Sequence, residues 1–163
     1  MRLERFGFSP VYRYDAGKWD WFAHNLPMLG TRASQPQNKD VARRDVPTCA
    51  ITETVGAAHA RAQAAGWELC IVVAEGGVIQ GRLRREAWNA PPDTPAEDVM
   101  ENGPTTVRPD ELLAELLGRM QKRKVSEILV ATPDGVLIGN LNRVEAEAYL
   151  AAHGGTPSSA APQ

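Results

Sequence analysis

One pattern limits the folds open to this 163-residue chain: a strand, helix, hairpin and helix occupy residues 96–150 and recur, in degenerate form, upstream. In the downstream copy Asp110 stands ahead of Leu112, Leu113, Leu116, Leu117 and Met120, so a capping carboxylate is expected to open a helix with one apolar face. Glu127 to Ala131 reads as a short strand. Pro133, Asp134 and Gly135 supply turn chemistry, and Val136 to Leu141 alternates as the returning strand of a hairpin. A second helix is expected through Glu145 and Tyr149.

Aligning the chain with itself puts Pro47 on Pro104, Thr48 on Thr105 and Ile71 on Ile128, a shift of 57 positions. Gly77 falls on Gly135, Gly81 on Gly139 and Leu83 on Leu141 at a shift of 58, which assigns one extra residue to the second hairpin turn. In the first copy Thr52 or Thr54 is expected to cap an alanine-rich helix through Val55, Ala58, Ala62 and Ala65. Gly66 ends that helix in the left-handed conformation. Leu69 to Val73 makes the strand and Glu75 to Gly77 the turn. Residues 88–95, WNAPPDTP, join the copies, and their three prolines exclude helix.

The run Asp98-Val99-Met100, the Pro104-Thr105-Thr106-Val107 lead into a strand, the apolar helix and Pro133-Asp134-Gly135 before Ile138-Gly139 resemble a cystathionine β-synthase (CBS) domain. Two in tandem resemble a Bateman module, here over roughly residues 39–150. The resemblance implies an α+β (α/β) fold, with two βαββα repeats packed sheet to sheet about a pseudo-twofold axis. The chain then divides into an N-terminal aromatic arm (1–30), an exposed linker (31–38), repeat 1 (39–90), repeat 2 (96–150) and a disordered tail (151–163).

The same resemblance implies two clefts that bind adenosine-containing ligands. In that family a motif of Gly, two apolar positions, Thr or Ser, two further residues and Asp follows the last strand. Its hydroxyl approaches phosphate and its carboxylate accepts the ribose hydroxyls. Repeat 2 reads Gly139-Asn140-Leu141-Asn142-Arg143-Val144-Glu145, with Asn142 for the hydroxyl residue and Glu145 for the acid. Repeat 1 reads Gly81-Arg82-Leu83-Arg84-Arg85-Glu86-Ala87, so Ala87 stands where the carboxylate belongs. The implied ligand-binding residues are Thr105, Thr106, Asn142, Arg143 and Glu145 in one pocket, with Thr48 and Arg84 from the first copy. Arg82, Arg84 and Arg85 either hold an anion or are solvated partners of Glu86 and nearby acids.

Other chemistry finds little support. The balance of 18 basic against 20 acidic residues argues against binding to a nucleic-acid backbone. No apolar run is long enough to span a membrane and no leader pattern opens the chain, so a cytoplasmic protein is expected. Cys49 and Cys70 read as reduced and structural, and His24, His59 and His153 lack metal-ligand spacing. Lys122-Arg123-Lys124 reads as cations complementing a helix C-terminus.

The arm collects Phe6, Phe8, Trp19, Trp21 and Phe22, with a short strand expected at Val11 to Tyr14. Its order is similar to the closing segment of rhodanese-like sulfurtransferase domains, but neither cysteine opens the anion loop that such chemistry needs. An aromatic clamp on the repeats or on a partner is the plainer reading.

The expected function is therefore a non-catalytic, regulatory, homodimeric CBS-pair protein. It would sense an adenine nucleotide or related metabolite such as AMP, ATP or S-adenosylmethionine, with no catalytic residue and no metal. The alternative is an interaction or oligomerisation module whose clefts have lost their nucleotide.

Overall fold

The computed structural model describes residues 4–11, 17–23, 26 and 35–153. The expected strand through Tyr12 and Tyr14, linker residues 31–34 and the tail from 154 onward lie outside them, as do the side chains of Trp19 and Phe22. A 3-10 helix at Glu4–Phe6 and helix α1 (Gly17–Ala23) are the described elements of the arm. Then follow α2 (Asn38–Val41), β1 (Thr48–Ala50), α3 (Val55–Ala64), β2 (Leu69–Val73), β3 (Ile79–Arg84) and a 3-10 turn at Arg85–Asn89. The second copy runs α4 (Ala96–Val99), β4 (Glu101–Asn102), β5 (Thr106–Val107), α5 (Leu113–Arg123), β6 (Glu127–Ala131), β7 (Leu137–Asn142) and α6 (Arg143–His153). Ala151 to His153, expected in the tail, are the last turn of α6.

The strands form a four-stranded sheet in the order β1-β2-β3-β4 and a three-stranded sheet β5-β6-β7. In each, the first strand runs parallel to the second and the second antiparallel to the third. Thr48 pairs with Ile71, and Thr106 with Leu129. Bulges lie at Val72/Val73 and at Val130/Ala131. The repeats are thus related by 58 positions in the strands as well as in the hairpins. This corrects the shift of 57: Thr106, not Thr105, is the counterpart of Thr48, and the second turn carries no extra residue. Register follows burial rather than residue identity, because a slip of one sends every side chain to the opposite face. Ile71 and Leu129 meet between the sheets with Val46 and Leu69, whereas Ile128 packs on the other side with α5 and α6.

The repeats are stitched together by matched exchanges. The Leu113 amide donates to the Pro36 carbonyl at 2.9 Å, and 58 positions earlier the Val55 amide donates to the Thr94 carbonyl at 2.9 Å. The Asn38 amide reaches the Glu111 carbonyl at 3.0 Å, and the Ala96 amide the Glu53 carbonyl at 2.8 Å. Val78 bridges Val136, its own counterpart, on the pseudo-twofold axis.

Two expectations change as a result. Asp110 does not cap α5, whose N-cap position is Leu112 with no side-chain bond. The first-turn amide of Leu113 is met instead by the backbone of Pro36, so no carboxylate is needed there. Thr54, by contrast, does cap α3, its Oγ1 accepting from the Ala57 amide at 3.4 Å. The end of the expected linker is not exposed either. Gln37 and Asn38 are buried, and Asn38 Nδ2 donates to the Arg108 carbonyl at 3.0 Å, which gives the donor side of that buried amide a partner.

Each opening helix completes the core of the other copy. Ala42, just after α2, belongs to the cluster of Leu113, Leu116, Leu117, Met120, Val130 and Leu141. Ala96 of α4 belongs to that of Cys49, Ala58, Ala62, Cys70, Val72 and Leu83. Each fully buried Leu or Met contributes about 1.5–3 kcal/mol. Gly81 and Gly139 permit the crossing: a Cβ on Gly81 would lie 2.9 Å from the Glu101 carbonyl, and one on Gly139 would collide with the Arg43 carbonyl. Cys49 and Cys70 are buried free thiols, and hydrogen bonding to Cys49 together with burial pushes the Cys70 thiol up.

Candidate functional site

Each copy leaves a cleft where its last strand meets the other copy. The first has a volume of about 500 Å³. Its walls are Arg82, Arg84 and Arg85 at the end of β3, Thr105, Thr106 and Val107 around β5, and Arg119, Arg123, Lys124 and Glu127 between α5 and β6. The second, of about 280 Å³, is the symmetry counterpart: Asn140, Asn142 and Glu145 face Gly66, Trp67 and Glu68.

Thr105, Thr106 and Arg84 therefore line one cleft while Asn142 and Glu145 line the other, and the single pocket expected from the sequence does not form. The twofold exchange is the reason, since β3 of the first repeat faces residues 105–107 and the start of β6 in the second, while β7 of the second faces residues 66–69 of the first. Thr48 and Arg143 line neither cleft. The Thr48 carbonyl accepts from Arg61 Nη1 at 2.5 Å, and Arg143 lies 3.7 Å from Glu147 one helical turn on.

The clefts are electrostatic opposites. In the smaller one, Arg43 is held by Asp45 at 2.7 Å, stacks over Trp67 at 4.3 Å and lies 3.8 Å from Glu145. The Arg43 guanidinium holds the Asp45 carboxyl below the usual range. Asn142 is occupied as the cap of α6, its Oδ1 accepting from the Val144 amide at 2.9 Å and the Glu145 amide at 3.4 Å. Glu68, Glu127 and Glu145 leave this cleft acidic.

In the larger cleft six basic side chains face one carboxylate, Glu127. Arg82 Nε and Arg84 Nε both donate to Glu101, at 2.8 and 2.9 Å, and these bonds, Arg84's foremost, hold the Glu101 carboxyl below its ordinary value. Arg119 pairs with Glu111. Arg85, Arg123 and Lys124 have no ion pair among the described residues.

Arg123 and Lys124 were not legible as site residues, because a basic run at a helix C-terminus already has an explanation in the helix dipole, and Arg119 carried no signal of its own. The missed signal lies in the repeat alignment. The position corresponding to Lys124 is Gly66, left-handed at φ 71°, whereas Lys124 holds φ 54° with a side chain attached. Arg85, at φ 45°, is the other non-glycine residue in that region among the described residues. Such backbone costs about 1–2 kcal/mol per residue.

Two βαββα repeats joined about a pseudo-twofold axis, with a cleft at each crossing, define a paired-repeat module. Residues 91–146 match the model of the CBS domain family, and the chain has the fold of solved CBS-domain pairs. Solved structures carry the same fold. The CBS domains of a transcriptional regulator from Streptococcus pneumoniae superpose with TM-score 0.63 at 18% identity, over 69% of this chain and 98% of that one. The cytosolic domain of the Mg2+ channel MgtE in complex with ATP gives 0.63 at 20% identity, over 73% of this chain and 51% of that one. A CBS domain pair in complex with 5′-methylthioadenosine and S-adenosyl-L-methionine gives 0.58 at 17%, over 72% and 98%. No curated protein matches the chain. Among the described residues no helix is long and apolar enough to cross a membrane, and no group of three or more His, Cys, Asp or Glu is placed to hold a metal.

Proposed function

We propose that this chain is a non-catalytic regulatory CBS pair, acting as a homodimer, that senses an adenosine-containing nucleotide in the larger cleft. The observation that carries the reading is the concentration of cations around a 500 Å³ cavity in a chain whose formal net charge is −2. Thr105 and Thr106 offer hydroxyls beside Arg84, and Val107 and Ile128 offer apolar surface to a base. The structures of similar fold that hold ATP and S-adenosyl-L-methionine support this ligand class. Ligand would act by favouring one arrangement of the repeats through its differential affinity.

The test is a thermal-shift series with AMP, ADP, ATP, NAD and S-adenosylmethionine, because a ligand that binds only the native state raises its stability by mass action. One adenosine compound should give a concentration-dependent rise. Arg84→Ala should abolish it, while Glu145→Ala, in the acidic cleft, should leave it intact. A flat response, or one lost with Glu145→Ala alone, would overturn this assignment.

The exposure of Phe6 and Phe8, at 72% and 61%, favours a second reading in which the arm mediates self-association. Deleting residues 1–30 should then dissociate the oligomer in sedimentation without changing ligand affinity.

A further inference from the structure

Four features of the larger cleft bear on which ligand it selects. The first is the absence of a ribose clamp. Ala87 occupies the position corresponding to Glu145, and it is buried among Cys49, Ala62 and Leu83, so no carboxylate is available there to accept ribose hydroxyls. The second is charge. Glu101 is shared by two arginines and Glu111 is matched by Arg119, while Arg85, Arg123 and Lys124 have no partner carboxylate among the described residues.

The third is backbone conformation. The two non-glycine residues held at positive φ among the described residues, Arg85 and Lys124, are both cations and both line this cavity. Strained backbone persists where the surroundings over-determine it, and it concentrates at ligand clamps. The fourth is the contrast with the acidic cleft, where the counterpart of Lys124 is Gly66 and the counterpart of Arg85, Arg143, lies outside the lining and beside Glu147. Dipole compensation at the end of α5 does not require Lys124, since Lys122 and Arg123 already stand in its last turn.

We propose that the larger cleft selects its ligand by phosphate number, binding a triphosphate chain through Arg85, Arg123 and Lys124 and so holding ATP more tightly than AMP. The proposal rests on the reading that this cleft is the ligand site, and deepens it. The shared chemistry is a linear triphosphate, carried by a nucleoside triphosphate or by inorganic tripolyphosphate. Guanidinium forks suit phosphate oxygens, and each charge-assisted contact is worth on the order of tenfold in affinity.

The experiment is isothermal titration of the full chain with adenosine, AMP, ADP, ATP and sodium tripolyphosphate, in EDTA to exclude divalent cations. Lys124→Gly and Arg85→Gly are titrated in parallel. Glycine relieves the left-handed backbone, so both variants should fold with a Tm equal to or above that of the parent. Affinity should climb from AMP to ATP, tripolyphosphate should bind within about tenfold of ATP, and each variant should weaken both by about tenfold. The binding should also weaken steeply with added salt.

Equal affinity for AMP and ATP, or unchanged ATP affinity in both variants, overturns the selection by phosphate number and leaves the adenosine sensor standing. Tripolyphosphate binding as tightly as ATP supports the selection and counts against adenosine recognition. No heat with any of the five compounds overturns both.

Discussion

At the residue scale, Glu101 limits the cationic field of the larger cleft. It lies on β4 of the second copy yet pairs with Arg82 and Arg84 of the first, so it offsets part of the cleft's positive charge and ties the repeats together. Its carboxyl is held low by the two guanidiniums. A carboxylate with a lowered folded pKa contributes stability that is fully present above its unfolded value and is lost as pH falls through the folded one. The group is half exposed, so solvent screening keeps that contribution small. In urea titrations Glu101→Gln should cost a constant small amount near neutrality, and the gap to the parent should close below about pH 4. A gap that persisted or widened in acid would mean that the ion pairs are not its source.

At the element scale, the two long helices of the repeats start differently, although both give their first-turn amide to a strand-like segment of the other copy. α3 has the Thr54 hydroxyl in addition, and α5 has no side-chain cap. Thr54→Ala should therefore cost about 0.5–1 kcal/mol in chemical denaturation, and Asp110→Ala close to nothing. The reverse order would restore the carboxylate cap that the sequence suggests. The strand at Glu127–Ala131 was legible to the residue, because a short apolar run bounded by turn signals leaves few alternatives. The register of β1 and β5 was not, because Pro47 and Pro104 match by identity one position away from the match by burial.

At the scale of the whole molecule, neither copy is self-sufficient. The core of the second is closed by Ala42 and by the hydrogen bonds of residues 36–43, more than 50 positions upstream of its own start. A fragment of residues 91–153 should therefore lack a cooperative thermal transition by circular dichroism and gain one when residues 35–90 are restored. A cooperative transition in the isolated fragment would show that the exchange is ornament to a domain that folds alone. The same crossing builds the clefts, so folding of the pair and formation of the clefts are one event.

The sequence by itself determined the repeat, the alternation of elements and the presence of a cationic strand end with no acid at Ala87. These depend on local periodicity and composition, which neighbouring residues carry among themselves. Only the tertiary structure decided which residues share a cleft. Thr106 belongs with Arg84, 22 positions away, and not with Glu145, because the pseudo-twofold axis sets the last strand of each repeat against the other repeat. Lys124, unremarkable as the end of a basic run, became informative once the fold superposed it on Gly66 and its backbone conformation could be seen.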